Sequence, residues 1–154
     1  MKKKLLMLSS LIAFTMIFIF IFKNHKEKGI SCKAEITFLK GNDRVDVVSF
    51  HTLINGKGTI SMSGVVHHGE KKAGYISKSI RFSYKKSKNI YLLRSDLISN
   101  SPYMTLSPEV ENQWFPLFFS TKGEHLLWKI KPVGDKAWLF YSKTAPLFIC
   151  EEAS

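Results

Sequence analysis

Two cysteines and five histidines in 154 residues are too few, and too widely spaced, for a zinc cluster built from paired ligands. Neither a glycine-rich phosphate loop nor a dinucleotide fingerprint is present. No Gly-x-Ser-x-Gly elbow frames any of the serines. Acidic residues are scarce, with 12 Asp+Glu against 23 Lys+Arg and a formal net charge of +11. That imbalance is concentrated at one end: from Gly29 onward 17 Lys+Arg face 11 Asp+Glu. Aromatic residues are not scarce. Twelve Phe, five Tyr and three Trp supply enough apolar bulk for a packed core and argue against wholesale disorder. The length suits one domain and hardly two.

The longest uncharged run is Leu5–Phe22, with Lys2, Lys3 and Lys4 before it and Lys23, Lys26 and Lys28 after it. Eighteen helical residues would extend about 27 Å, close to the hydrocarbon thickness of a bilayer. A cleaved signal peptide has a shorter apolar core and a small-x-small cleavage site. Here the run ends Phe-Ile-Phe-Ile-Phe and passes straight into Lys23. The expectation is a retained anchor, with signal-peptide cleavage as the alternative. Flanking lysines are balanced, so the positive-inside rule gives little bias. Residues 1–4 are too few to be a domain and are placed in the cytoplasm, 5–22 in the bacterial inner membrane and 23–31 in a juxtamembrane linker. The body, 32–154, is placed in the periplasm. Cys32 opens that body and Cys150 nearly closes it. In an oxidising compartment they read as a disulfide, the alternative being two unrelated buried thiols.

The body alternates with the period of strands. Cys32–Phe38 puts Cys32, Ala34, Ile36 and Phe38 on one face. Val45–Ile54 reads as apolar on both faces, and Asn55-Gly56 follows as a hairpin turn. Thr59–His68, Tyr75–Tyr84 and Ile90–Ser95 continue the pattern, with polar turns expected at His67–Lys72 and Lys85–Asn89. Between Asn100 and Gly123 the rhythm breaks. Ser107-Pro108-Glu109 is a helix start, giving a short helix from Pro108 to about Trp114. The apolar Pro116–Phe119 after it is suited to cover an open end of the core. Strands at His125–Lys131, Ala137–Ser142 and Pro146–Cys150 complete the chain. About eight short strands and one helix predict a mainly β, antiparallel, barrel-like domain of the calycin or lipocalin kind, or failing that a sandwich. A disulfide from first strand to last favours the barrel.

Several segments together resemble a known family. They are the Lys-rich start, the single span, Gly56–Val65, Tyr75–Tyr84 and the terminal Pro146-Leu147-Phe148-Ile149-Cys150. The chain resembles the FidL-like inner-membrane proteins of enteric bacteria and, more remotely, the PsaF, MyfF and ToxS accessory partners of ToxR-type regulators. The resemblance implies a partner: a membrane-anchored ToxR/CadC-type transcription activator whose periplasmic sensor domain the accessory protein binds and stabilises or tunes. It implies no catalytic residue and no cofactor.

Side chains that carry chemistry add little to that. His67 and His68 point to opposite faces of a strand and cannot ligate one metal together. Their titration near neutrality makes them pH-sensing candidates beside Glu70, Lys71 and Lys72. Glu109 and Glu111 read as favourable first-turn charges of the helix, not a glycosidase pair. Basic runs at Lys71–Lys72 and Lys85–Lys88 read as solvated turns, since an exported body meets no nucleic acid; lipid headgroups are the alternative contact. Trp114, Phe115, Phe118 and Phe119 are candidates for a partner or ligand surface, against the alternative of ordinary core. The expectation is a protein that is not an enzyme, with the regulator and the bilayer as partners and an apolar small molecule such as a fatty acid as the competing reading. An assembly factor for surface fibres is the third alternative.

Overall fold

The computed structural model describes residues 29–153. The expected anchor, residues 5–22, lies outside them, as do residues 1–4 and most of the linker. Among the described residues no helix is long and apolar enough to cross a membrane.

Eight antiparallel strands run in chain order around a closed barrel: β1 (Ile30–Lys40), β2 (Asp43–Ile54), β3 (Lys57–His68), β4 (Lys71–Ser87), β5 (Ile90–Asn100), β6 (His125–Val133), β7 (Ala137–Ser142) and β8 (Ala145–Glu152). The barrel reading holds over the sandwich. Neighbours in sequence are neighbours in space, and β8 returns to β1. Closure pairs most of the edges that an open sheet would expose, but β1 and β8 are in register at two positions only. Chain reversal between the first five strands takes two residues at a time. Asn55 and Gly56 both have positive φ, 51° and 78°, as an Asn-Gly hairpin requires. Gly58 is needed for a different reason: a Cβ there would stand 2.3 Å from the Phe82 ring.

The period-2 pattern sorts the interior from the surface. Cys32 and Ala34 of β1, Ile60 and Met62 of β3, Ile76, Ile80 and Phe82 of β4, and Trp128, Ile130 and Phe140 from β6 and β7 are buried. Three expectations change in detail. β2 is not apolar on both faces: Val45, Val47, Ser49, His51 and Leu53 point in, while Arg44, Phe50 and Ile54 are exposed. His67 and His68 are not in a turn but end β3, opposite Arg44 and Asp43, because the reversal needs only Gly69 and Glu70. Likewise β4 runs from Lys71 through Ser87, which leaves only Lys88-Asn89 as the turn.

Between β5 and β6 the chain leaves the wall. It first stays hydrogen-bonded to β4, with Ser101 N–H donating to Ser77 O and Thr105 N–H to Tyr75 O. Helix α1 (Pro108–Trp114) follows, as expected. The Ser107 hydroxyl caps it by accepting from Val110 N–H, and Pro108 opens its first turn. A 3-10 turn, Leu117–Phe119, comes next. Phe115 packs edge-on against Phe38 of β1 at 5.5 Å, and Phe118 packs against Phe82 of β4 at 6.0 Å. These contacts lay the segment as a lid across the barrel. Ser95, buried on β5, fixes its return: the Oγ donates to Thr121 O at 2.8 Å.

Candidate functional site

Beneath the lid lies a cavity of about 230 Å³. Ile36 and Phe38 of β1, Val47 of β2, Ile60 and Met62 of β3, and Leu126 and Trp128 of β6 form its wall. Trp114, Phe115, Pro116 and Phe119 come from the lid, and Leu147 and Phe148 from β8. Only three polar side chains line it: Ser49, His51 and Ser142. Sites that hold small molecules have this character, mostly apolar with a few placed polar groups.

His51 is the most unusual of the three. Its ring is 3% exposed. It stacks on Phe148 at 5.3 Å and lies near the rings of Phe140 and Trp128, at 5.4 Å and 5.6 Å. Nε2 shares a 2.8 Å hydrogen bond with Ser49 Oγ, while Nδ1 is buried with no hydrogen-bond partner. Burial makes a charged imidazole costly here and pushes its pKa down to about 4, so the ring is neutral near pH 7.

A second buried polar feature holds the lid. Lys78 faces inward between Ile76 and Ile80 on β4, and its Nζ donates to Glu111 Oε1 of α1. The two residues are 5% and 3% exposed. Glu111 is therefore more than a helix-end charge: it is the buried ionic anchor of the lid. Both residues were hidden by an otherwise sound pattern. Lys78 occupies an inward position in a strand whose other inward residues are apolar, and that conflict with the alternation is the signal that identifies it.

The disulfide Cys32–Cys150 is formed, with Cα atoms 5.4 Å apart. It joins β1 to β8 where their ladder is shortest. Only Cys32 opposite Glu152 and Lys33 opposite Glu151 are in register. Past Lys33 the two strands part, although β1 continues to Lys40. A surface groove lined by Lys33, Glu35, Phe50, Ile149 and Glu151 follows the parting on the outside. On the inside Ile36, Phe38, Leu147 and Phe148 border the cavity.

Residues 29–150 match the family model of the YqeJ C-terminal domain. The chain belongs to the YqeJ C-terminal domain family. The match starts one residue before β1 and ends on the second cysteine, so it covers the closed, disulfide-bonded barrel with its lid. No curated protein matches the chain.

The aromatic candidates are brought together, but they face inward. Phe115 and Phe118 are buried, and Trp114 and Phe119 are half-buried. Trp114, Phe115 and Phe119 line the cavity, whereas Phe118 packs into the core. The two histidine candidates lie apart from them, on the β2–β3 ladder. His68 Nδ1 is 2.5 Å from Asp43 Oδ1, and His67 Nε2 is 3.7 Å from Asp46 Oδ2. Asp46 also meets Arg44 at 2.9 Å and accepts from the Thr37 hydroxyl. On the other side, Lys71 and Lys72 are their partners across the β3–β4 ladder. A proton on either ring would thus meet a carboxylate as well as the lysines.

Proposed function

We propose that this YqeJ-family chain is a membrane-anchored accessory protein. Its barrel, held outside the inner membrane by the segment 5–22, binds the periplasmic sensor domain of a co-anchored ToxR/CadC-type regulator and stabilises or tunes it. The parted seam between β1 and β8 carries this reading. It presents strand edges that a partner segment can extend, with exposed apolar side chains beside them at Leu39, Phe50, Leu147 and Ile149. The resemblance to FidL-like proteins points to the same kind of partner. Sharing one bilayer raises the effective concentration of the two proteins, so a modest interface suffices. The test is co-purification of the full chain from its native host, with a photo-crosslinker at Ile149 or Glu35. A crosslink to a single-span regulator, and a shortened regulator half-life on deletion, are expected. No crosslink at either position, with an unchanged half-life, refutes the reading.

The cavity favours a second reading, in which the barrel holds an apolar small molecule and needs no regulator. Native mass spectrometry of the full chain released from its membrane would then show a bound ligand. A protein always recovered empty, which none of a panel of small apolar compounds stabilises, counts against it.

A further inference from the structure

A barrel on a short tether has one end held near the bilayer, and here that end is chemically distinct. We infer that it is a docking surface for the anionic phospholipid headgroups of the membrane in which the chain is anchored. This deepens the anchored reading and rests on it; it is independent of the regulator and of any cavity ligand.

Topology selects the end. The strands alternate in direction around the barrel, so the start of β1, the end of β8 and the turns β2–β3, β4–β5 and β6–β7 lie together. The lid, His67, His68 and the remaining turns lie at the other end. Seven residues, 23–29, separate the apolar run from Ile30. Fully extended they span about 25 Å, which bounds how far this end can stand from the membrane. Ile54, just before the β2–β3 turn, stands where the tether arrives: a Cβ on Gly29 would meet Ile54 Cγ1 at 2.6 Å.

Charge separates the two ends. Lys57, Lys85, Lys86, Lys88, Lys131 and Lys136 are exposed on or beside the three turns. The acidic residues there are Asp135, Glu151 and Glu152, with both glutamates on the β8 side. The surplus is three positive charges, and in the linker Lys23, Lys26 and Lys28 outnumber Glu27. At the far end the balance is nearly even. Lys40, Arg44, Lys71 and Lys72 of the β1–β2 and β3–β4 hairpins stand with Asp43, Asp46 and Glu70, and Lys122 and Lys143 with Glu109 and Glu124.

Each of the three turns at the anchor end also carries one exposed aliphatic side chain among its lysines: Ile54, Ile90 and Val133, 47%, 44% and 44% exposed. Aliphatic side chains of this kind enter the boundary below the headgroups. Lysine stems lie along that boundary while their ammonium groups reach the phosphates. The tether keeps this surface beside the bilayer at high effective concentration, so a surplus of a few charges is enough. Docked in this way, the barrel turns its lid and both histidines away from the membrane.

The test uses the full-length chain in nanodiscs of phosphatidylcholine alone, or of two parts phosphatidylcholine to one of phosphatidylglycerol. A trace of phospholipid with a nitroxide on its headgroup broadens the amide signals of residues that lie close to the surface. With phosphatidylglycerol, broadening should concentrate at residues 54–57, 88–90 and 133–136, spare 41–43 and 69–71, and fade at high salt. With phosphatidylcholine alone it should be weak. Each lysine near an anionic leaflet contributes about fivefold, so replacing Lys57, Lys85 and Lys88 together by Gln should lower the docking equilibrium about a hundredfold, to the phosphatidylcholine pattern. Replacing the same three by Arg should preserve docking. Unmoved strand amides show that the variants are folded; should the Gln variant not fold, the salt response of the native chain decides. Equal broadening in both lipids, broadening centred on the far end, or docking that survives the Gln replacements or high salt overturns the inference and leaves the anchor intact. A chain that does not co-elute with the discs removes the anchored reading and the inference with it.

Discussion

The two walls of this barrel are built differently. Strands β1 to β5 are 11 to 17 residues long and are joined by two-residue turns. Their ladders run the full length of the shorter partner, as from Ile30 opposite Leu53 to Lys40 opposite Asp43. Strands β6 to β8 are 9, 6 and 8 residues long. β6 meets β5 only from Ile90 to Arg94, and β8 meets β1 at two positions. The long wall is held by backbone pairing. The short wall pairs along the whole of β7, but its seams to the long wall are short and are supplemented: a disulfide at one, the Ser95 contacts at the other, and inside Trp128 edge-on to Phe140, which stacks on Phe148. The cavity and the lid border the short wall. The cavity is lined by both walls, for example Val47 and Ile60 from the long one and Trp128 and Phe148 from the short one, whereas the seam open to a partner strand lies on the side where pairing is least complete.

Removing the disulfide should separate the two walls most sharply. The bond closes a loop spanning 118 positions. In the chain-entropy account its loss costs about 5 kcal/mol, roughly a third or more of the stability of a domain this size. Cys32→Ala with Cys150→Ala should lower the denaturation midpoint accordingly. Native-state hydrogen exchange should show β8 and β7 opening before β2 and β3. Loss of protection at the same rate in every strand would mean that the walls are one unit and that the comparison has no energetic content.

The strand order was legible in the amino-acid sequence, but the contrast between the walls was not, and the missing part has a physical cause. Alternation located β1, β3 and β4, while the other strands were legible as apolar segments between turns, and the start of α1 was legible because Ser107-Pro108 is a local capping signal. Strand ends were underestimated at β1, β4 and β5, which run Ile30–Lys40, Lys71–Ser87 and Ile90–Asn100. At the end of β4, Lys85, Lys86 and Ser87 extend past β3 but stay paired with Leu92, Tyr91 and Ile90 of β5, and they look like a turn when only composition is read. The inward-facing His51, Lys78 and Glu111 were missed for one shared reason. Each is a polar residue in a buried position, tolerated only because of a partner distant in sequence or a space enclosed by other strands. Local alternation flags Lys78 as out of place on an apolar face, but it names neither the partner nor the space. The parted seam is likewise a property of closure, which depends on all eight strands together.

The lid should respond next most strongly. Lys78 belongs to the long wall and Glu111 to the lid, and their buried ion pair joins the two. Removing one partner strands the other charge in a dry place, at a cost on the order of 3–5 kcal/mol. Lys78→Met or Glu111→Leu alone should therefore destabilise the protein and increase exchange in residues 101–124. The double variant should recover most of the loss, because an apolar pair of similar volume replaces the charges. A double variant as unstable as the sum of the singles would show that the residues act independently, and that the lid is not tied to the long wall through them.

Acid tests the contact between the walls themselves. His51 is carried by β2 of the long wall, but its ring stacks on Phe148 of the short one. In the unfolded chain the imidazole titrates near 6.5, whereas burial in the barrel lowers this to about 4. Between those values the unfolded chain holds a proton that the barrel does not. Stability from this site is then fully present above about pH 6.5 and declines as pH falls toward 4. The loss is at most about 1.4 kcal/mol per pH unit and about 3 kcal/mol in all. Carboxylates titrate in the lower part of the same window, so the informative quantity is the difference between the native chain and His51→Phe. Denaturation midpoints of the two should diverge from pH 7 to pH 4.5, with the variant losing less. Since protonation would place a desolvated charge in the contact between the walls, exchange at β8 should rise before exchange at β3. Parallel curves for the two proteins would place the imidazole in water, and with it the cavity wall that His51 is said to complete.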